Sequence, residues 1–185
     1  MKTCKACGQK FEPLRSTQVV CSPACALAWS KQGKGKQSAE KVSRAVTRER
    51  KAALRTIPEL TKIAQAAFNR YIRARDTGKP CICCQRPLNA PGVGGGFDAG
   101  HYRSVGSAPH LRFSENNCHG QSKYCNQYRA GNAADYRIGL IARIGLAEVE
   151  ALEADQAPRK YTRDELIKIA QTYRAKAREI ERGER

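Results

Sequence analysis

The sequence predicts an α+β protein built from small modules, and three observations support this prediction. The nine cysteines fall into two groups, and all three histidines lie between residues 97 and 132. Two threonine–glutamate pairs with capping-box spacing precede amphipathic stretches typical of helices. We expect a zinc-binding module at 1–30, a basic linker or helix at 31–55, and a zinc-stapled core of a β-hairpin with flanking α-helices at 56–185.

Composition restricts the partner and the compartment. The formal net charge is +17 and the pI is about 9.8, which predicts nucleic acid as partner before a membrane. Two four-thiolate zinc sites would lower the charge of the folded protein to about +13. This charge is still strongly positive, so the prediction of a nucleic-acid partner is unchanged. We find no signal-peptide hydrophobic region after Met1 and no apolar run near the roughly 20 residues of a membrane span. We therefore expect a cytoplasmic protein whose cysteines bind metal.

The first cysteine group combines a Cys-X2-Cys with a Cys-X3-Cys, separated by a loop of ordinary zinc-finger length. Two thiolates on one tight turn can reach one ion, and a second such turn completes its tetrahedral shell. We expect a strand pair, then a helix that Ser22 and Pro23 begin. The predicted zinc ligands are Cys4, Cys7, Cys21 and Cys25.

Residues 31–55 carry nine Lys or Arg against two Glu, with Gly33 and Gly35 near their start. We expect a linker that passes into a solvated basic helix. A flexible connector and a phosphate-tracking arm both fit this composition.

Helices should flank the core. Thr56 and Glu59 form a capping box before an apolar stripe that runs from Leu60 to Ile72. Residues 136–152 predict two short helices that break near Gly145. A second capping box, Thr162 to Glu165, begins a last helix, whose apolar stripe we assign to packing.

The second cysteine group is less regular. Cys81 and Cys84 have knuckle spacing, and Cys83 is expected to be a spare thiol. The remaining cysteines, Cys118 and Cys125, complete the predicted zinc site, with His119 as the alternative to Cys118. The glycine-rich loop 89–96 lacks the Gly-Lys-Ser/Thr of a phosphate-binding loop and should connect a hairpin. We expect short strands at 97–102 and 111–113 and the start of a helix at 126–132.

Several polar side chains between residues 97 and 132 suit metal-assisted phosphodiester hydrolysis. The stretch offers an imidazole, nearby carboxylate and amide oxygens, and a basic flank, the groups such hydrolysis uses. Its candidates are Asp98, His101, Asn116, Asn117 and Asn126.

Five motifs, PCICCQ, DAGHYRS, APHLRFSENNCHGQ, CNQYRAGN and YRIGLIARIG, resemble those of the lambdoid phage recombination family NinG, also called Rap. The resemblance covers most of the chain. It implies a phage- or prophage-encoded, structure-specific DNA endonuclease that cleaves branched recombination intermediates such as D-loops and Holliday junctions. Other recombination proteins are then candidate partners. The central part is similar to the HNH, or ββα-metal, nuclease fold, in which a hairpin and a helix hold one catalytic divalent ion.

The resemblance assigns roles residue by residue. His101 matches the first HNH position and would be the general base, and Asn117, at the middle position, would orient its imidazole. Asn126 matches the last position and would bind Mg²⁺ or Mn²⁺ through its carbonyl oxygen. Asp98 is the nearest acidic candidate for the same ion. His119 stays ambiguous among a zinc ligand, a catalytic-metal ligand and a DNA contact.

Two positions depart from the related pattern. Many HNH nucleases have an aspartate directly before the histidine, whereas this chain has Gly100. The final knuckle is usually Cys-X2-Cys, whereas this chain has Ser122 and Cys125. The first departure leaves a noncatalytic zinc-finger adaptor that binds branched DNA as the alternative function.

Three cationic residues flank the candidate site closely enough to contact phosphate: Arg103, Lys123 and Arg129. His110, which lies outside the motif, is expected to be structural. Symmetric cleavage of a four-way junction needs two active sites, so a homodimer is the expected assembly for that substrate.

Overall fold

The computed structural model describes residues 1–88 and 96–183, leaving out the side chains of 34–39. Nearly all of the predicted glycine-rich connection, residues 89–95, lies outside the described residues. The chain divides into two compact units, 1–55 and 56–185. None of the described helices is long and apolar enough to cross a membrane.

The first unit is a two-stranded sheet followed by one long helix. Strands β1 (Lys2–Thr3) and β2 (Lys10–Phe11) pair antiparallel. Helix α1 (Pro23–Ala53) begins after Ser22, whose hydroxyl accepts a hydrogen bond from the Cys25 N–H at 3.2 Å. The strand pair and the start of the helix are as predicted from the sequence.

Helix α1 does not stop where the sequence predicted a linker. It runs without a break through the glycines of the basic region. One glycine inside a helix costs about 1 kcal/mol, and the surrounding Lys, Arg, Gln, Glu and Ala are strong helix formers. The expected linker is therefore helical.

Two helices with predicted capping boxes form one side of the second unit. Helix α2 (Ile57–Asp76) begins after Thr56, whose N–H donates to the Glu59 carboxylate at 2.7 Å. A later helix, Arg163–Gly183, begins with the same arrangement at Thr162. The two helices pack together through side chains that include Phe68 and Tyr173. Both predicted helix starts are confirmed.

A hairpin forms the centre of the second unit, with its first strand where the sequence predicted one and its second strand farther along the chain, at Cys118–Gln121. Strand β3 (Asp98–His101) pairs antiparallel with β4 (Cys118–Gln121), and Asp98 lies opposite Gln121 while His101 lies opposite Cys118. A 3-10 turn, Pro109–Leu111, replaces the strand predicted at 111–113. Leu111 and Phe113 are buried in two different apolar cores, so this short run packs inward instead of pairing with a strand.

A π-helical turn, Tyr124–Tyr128, follows the hairpin where a helix start was predicted slightly later. Helices α3 (Ala133–Ile144) and α4 (Leu146–Ala154) come next, and α5 is Arg163–Gly183. Gly145 separates α3 from α4 with a φ of 89°, a conformation that favours glycine. The predicted break at this glycine is confirmed.

The hairpin borders two apolar cores. One core lies between α2 and α5 and includes Phe68 and Cys118. The other lies beneath α3 and α4 and includes Cys81, Cys125 and Tyr136. Neighbouring positions of the hairpin therefore belong to different cores.

Candidate active site and metal centres

The first cluster consists of Cys4, Cys7, Cys21 and Cys25, whose sulfur atoms all lie within 4.8 Å of one another. The Sγ of Cys21 is 3.6 Å from that of Cys7 and 3.5 Å from that of Cys25. A tetrahedral zinc with Zn–S bonds of about 2.3 Å requires sulfur separations of about 3.8 Å. Burial opposes ionisation of Cys4, but backbone N–H donors lower its pKa to about 6. The predicted set of four thiols fits a structural zinc.

The second cluster combines the knuckle with the turn that follows the hairpin. The sulfur atoms of Cys81, Cys83 and Cys125 lie within 4.8 Å of one another. Cys84 lies at the edge of this group, with its Sγ 3.9 Å from the Ser122 Oγ. The Ser122 N–H donates to the Cys81 Sγ at 3.3 Å, and its hydroxyl accepts from the Cys125 N–H at 3.2 Å. The cluster could hold zinc, with the serine inside its hydrogen-bond network.

The structure reverses the predicted roles of Cys118 and Cys83 at the second cluster. Cys118 was the predicted ligand and Cys83 the predicted spare thiol. Cys118 is buried in the core of α2 and α5, where its Sγ lies 3.8 Å from the His101 Nδ1. Strand alternation explains this placement, because residues facing one another across the hairpin project to the same side. The structure therefore does not bring Cys118 to the second cluster. It brings Cys83, predicted to be spare, instead.

His119 is buried away from both metal clusters. Its Nδ1 lies 3.0 Å from the Arg75 guanidinium and its Nε2 lies 3.1 Å from the Asn116 carbonyl. A neutral ring satisfies both contacts, accepting at Nδ1 and donating at Nε2. Burial, helped by the positive Arg75, lowers the pKa of His119 to about 4. These contacts correct its assignment as a catalytic or zinc-binding residue.

The anchor of this region is Asp76, which the sequence analysis did not single out. Its buried carboxylate accepts hydrogen bonds from Arg75, Lys79 and the Gly120 N–H, the last at 2.8 Å. Burial opposes ionisation, but these donors hold the pKa of Asp76 well below its usual value. The carboxylate thus fastens β4 to the end of α2. The sequence signal that could have identified Asp76 is its position directly after Arg75 at the end of an amphipathic helix.

A cavity of about 390 Å³ lies beside β3 and the π-helical turn, lined in part by His101 and Asn126. The Asn126 side-chain amide donates to the Asp98 carboxylate at 2.9 Å, and that of Gln127 donates to the same oxygen at 2.8 Å. Asn126 therefore links the predicted residues, because its amide binds Asp98 and it lines the cavity together with His101. Asp98 and His101 themselves project from opposite faces of β3. Gln127 was missed, although it directly follows the last motif position.

The imidazole of His101 is held in one orientation. Its Nε2 lies 2.9 Å from the Arg112 carbonyl oxygen, and a carbonyl can only accept. Nε2 must then carry the proton, which leaves Nδ1 as the basic nitrogen. Burial lowers the pKa of His101, and the nearby Arg112 charge acts in the same direction against the backbone hydrogen bond. The ring is therefore neutral at pH 7.

Packing explains why glycine precedes this histidine. A Cβ on Gly100 would lie 2.0 Å from the Gln121 Oε1, so no side chain fits there without moving Gln121. Asp98 lies two residues earlier on the same strand, which gives it the same side of the sheet as residue 100.

Asn117 does not contact the imidazole. Its buried amide accepts from the Arg103 N–H at 2.8 Å and donates to the carbonyl oxygens of Arg103 and Leu111. These bonds close the loop between β3 and β4. Asn117 therefore acts on the hairpin connection, and the Arg112 carbonyl orients the histidine, which corrects the predicted contact.

The three predicted phosphate contacts differ in their surroundings. The Arg103 guanidinium donates to the carbonyl oxygens of Leu152 and Asp155 at the end of α4, so the structure gives it a local structural role. Lys123 and Arg129 flank the π-helical turn, and the Arg129 side chain is half exposed. Lys123 and Arg129 thus remain candidate phosphate contacts.

His110 has the structural environment expected for it. Its Nε2 lies 3.0 Å from the Asp155 carbonyl oxygen, and its own carbonyl accepts from the Tyr161 hydroxyl. The histidine joins the loop to the segment before α5.

Comparisons with known proteins give one consistent result. The family model described as Bacteriophage Lambda NinG protein matches residues 1–184. Protein ninG of Salmonella phage P22 is 36% identical over 187 residues, covering 94% of this chain and 90% of that protein. Protein ninG of Escherichia phage lambda is 35% identical over 187 residues, with 94% and 89% covered. No solved structure matches the chain.

Proposed function

The chain belongs to the NinG family, and from this premise we propose that it is a structure-specific DNA endonuclease. Its proposed substrates are branched recombination intermediates such as D-loops and Holliday junctions, cleaved by metal-dependent phosphodiester hydrolysis in the host cytoplasm. The observation that carries the proposal is that His101 and Asn126 line one cavity beside the hairpin, while the Asn126 amide donates a hydrogen bond to Asp98. A strand pair followed by a helical turn is also the element order of an HNH-like core.

His101 is the proposed general base. The Arg112 carbonyl keeps the proton on Nε2, so Nδ1 can accept a proton from the water that attacks phosphorus. The lowered pKa keeps the imidazole unprotonated at neutral pH. The Cys118 thiol is the neighbour of this nitrogen, at 3.8 Å.

Asp98 and Asn126 are the proposed ligands of a divalent ion. A carboxylate and an amide carbonyl are the oxygen donors that Mg²⁺ and Mn²⁺ accept, so the donor set fits. When bound, the ion would stabilise negative charge developing on the phosphate and the leaving oxygen. Gln127 holds the Asp98 carboxylate in place.

The cysteine clusters are proposed as two structural zinc sites. The second cluster is joined to the candidate active site by chain continuity, because Cys125 directly precedes Asn126. Its proposed ligands are Cys81, Cys83, Cys84 and Cys125. A closed thiolate site fixes the turn that presents Asn126.

Cationic surfaces supply the proposed DNA contacts. Lys123 and Arg129 lie on either side of the turn that carries Asn126. A groove along α1 is lined at helical spacing by four cations and two hydroxyls: Ser43, Arg44, Thr47, Arg48, Lys51 and Arg55. Such side chains bind phosphates without regard to base sequence, which favours the phosphate-tracking interpretation of this helix. On a four-way junction we propose that two copies act together, one on each cleaved strand.

Cleavage of a labelled four-way junction tests the proposal. With Mg²⁺ or Mn²⁺ we expect nicks that EDTA prevents. His101→Ala should abolish cleavage while zinc content and junction binding stay near those of the unaltered protein. His110→Gln is the matched control, because His110 lies in the loop that follows β3 and binds the Asp155 backbone. Unchanged cleavage by His101→Ala would sink the assignment of the base.

The second candidate function is a noncatalytic adaptor that grips branched DNA. The steric exclusion of an aspartate at Gly100 favours it, because the usual position for an acidic ligand is closed. The same assay separates the two functions. Tight junction binding without nicks in either metal supports the adaptor.

A further inference from the structure

The π-helical turn presents two tyrosine rings to solvent beside the candidate active site. Tyr124 is 61% exposed and Tyr128 is 79% exposed, with ring centroids 6.4 Å apart and planes 27° from parallel. The other five of the seven tyrosines are buried or half-buried. An exposed aromatic pair is therefore the exception in this chain and marks a surface for interaction.

The turn beneath the rings is held on both sides. Between the tyrosines, Cys125 is buried in the second cluster and Asn126 donates to Asp98. The Arg129 N–H closes the turn by donating to the Tyr124 carbonyl at 3.1 Å. The backbone carrying the rings is thus organised before any ligand arrives, which lowers the entropic cost of binding.

We infer that Tyr124 and Tyr128 form a stacking platform for an unstacked DNA base at a branch point. The inference rests on the proposed function and adds what selects branched DNA. Inside a duplex each base face is covered by its neighbours, whereas at a branch the stack is interrupted and a face is open. Aromatic side chains stack on such a face whatever the base, so the platform selects DNA structure and not sequence.

Charge favours a nucleic acid as the occupant. Lys123 directly precedes the pair and Arg129 directly follows it, and the Arg129 side chain is 51% exposed. Cations beside an aromatic surface suit a base with phosphates on both sides. The neighbouring cavity offers His101 and Asn126 to one of those phosphates. The two tyrosines and Asn126, which lines that cavity, belong to the same turn.

Binding measured without added Mg²⁺ or Mn²⁺ tests the platform without cleavage and leaves the proposed zinc sites intact. The probes are a fluorescent four-way junction with one unpaired thymidine at the branch and a linear duplex of the same sequence. The double substitution Tyr124→Leu with Tyr128→Leu removes the rings but keeps apolar bulk, and the corresponding double Phe variant keeps the rings. Ile138→Ala is a second control, because Ile138 is also exposed, at 69%.

The Leu variant should bind the branched probe about 5- to 100-fold more weakly, since each base–aromatic stack contributes roughly 1–3 kcal/mol. Duplex binding should change less than about twofold, as should both probes with the Phe variant and with Ile138→Ala. A 5-iododeoxyuridine at the unpaired position should crosslink to Tyr124 or Tyr128, as mapped by mass spectrometry.

Three results would overturn the platform: equal branched-DNA binding by the Leu variant, equal losses on branched DNA and duplex, or loss of a dimer in sedimentation without a change in DNA affinity. The third would assign the tyrosines to an interface between copies. Failure of catalysis is a separate result. A protein that binds the branch through the tyrosines but leaves it intact in Mg²⁺ and Mn²⁺ refutes the endonuclease and keeps the platform.

Discussion

The two cysteine clusters differ in how the chain brings their thiols together. The first cluster takes its thiols from residues 4–25, and three of its four cysteines are partly or fully exposed. The second takes thiols from a knuckle and from Cys125, beyond the hairpin, and these are largely buried. A local site is determined by spacing along the chain, whereas a buried site is also part of the core, so packing decides which thiols reach it.

The two clusters also support different amounts of structure. The first joins a pair of two-residue strands to the start of α1. The second lies in the core beneath α3 and α4 and leads directly into the turn that carries Asn126. Losing the second should therefore affect the whole unit, and losing the first should stay local.

The largest expected effect is on global stability. Cys81→Ala should remove one zinc and destabilise unit 56–185 by at least about 5 kcal/mol, because structural zinc contributes its binding free energy to folding. Cys7→Ala should also remove one zinc but leave the unfolding transition of 56–185 in place, since Cys7 belongs to the other unit. Zinc content and thermal unfolding by circular dichroism measure both effects. Equal losses of melting temperature would erase the distinction between the clusters.

The next effect concerns which thiol belongs to the second cluster. Cys83→Ala should lower the zinc content from two to one per chain, because the Cys83 thiol lies with those of Cys81 and Cys125. Cys118→Ala should retain both zinc ions and cost about 1–2 kcal/mol, as expected for truncating a buried side chain. Retained zinc in the Cys83 variant together with lost zinc in the Cys118 variant would restore the ligand set predicted from sequence.

A smaller, kinetic difference should follow from burial. A coloured chelator should extract zinc in two phases, the first at least about tenfold faster, because exposed segments open locally and core segments need near-global unfolding. The fast phase should come from the first cluster, where Cys7 is exposed. It should be missing in Cys7→Ala, because that variant lacks the zinc of this cluster. Stopped-flow absorbance gives both rates. A single phase would show that burial does not distinguish the two sites.

The smallest effect is the pH dependence that the buried His119 gives to the second unit. Burial lowers the pKa of His119 to about 4, below the unfolded value near 6.5. The unfolded state therefore binds the proton first, so stability is complete above pH 6.5 and declines as the pH falls towards 4. At pH 5.5 the loss is about 1 kcal/mol.

His119→Gln isolates this contribution from acid effects on the thiolates. Glutamine offers an acceptor and a donor but does not titrate. The difference in unfolding free energy between the two proteins, measured with urea, should narrow between pH 7 and pH 5. A difference that does not vary with pH would mean that the buried imidazole is not the titrating group.

Local patterns were sufficient for much of the fold. Both capping boxes, the break at Gly145, the first strand of the hairpin and the first cluster follow from residues close together in the chain. These features depend on backbone preference, helical periodicity and short ligand spacing, which act over a few residues. The strand predicted at 111–113 failed because loop packing outweighed a short apolar run.

Sequence by itself identified the thiols of the first cluster. It also supplied Asp98, His101 and Asn126 as candidate site residues around one short hairpin. Tertiary structure decided where the other polar groups point. It placed Cys118 and His119 in separate buried environments, used the Asn117 amide to close a loop, and excluded a side chain at Gly100. The physical reason is that a strand alternates its side chains between two faces. Which core each face meets depends on helices distant in the chain.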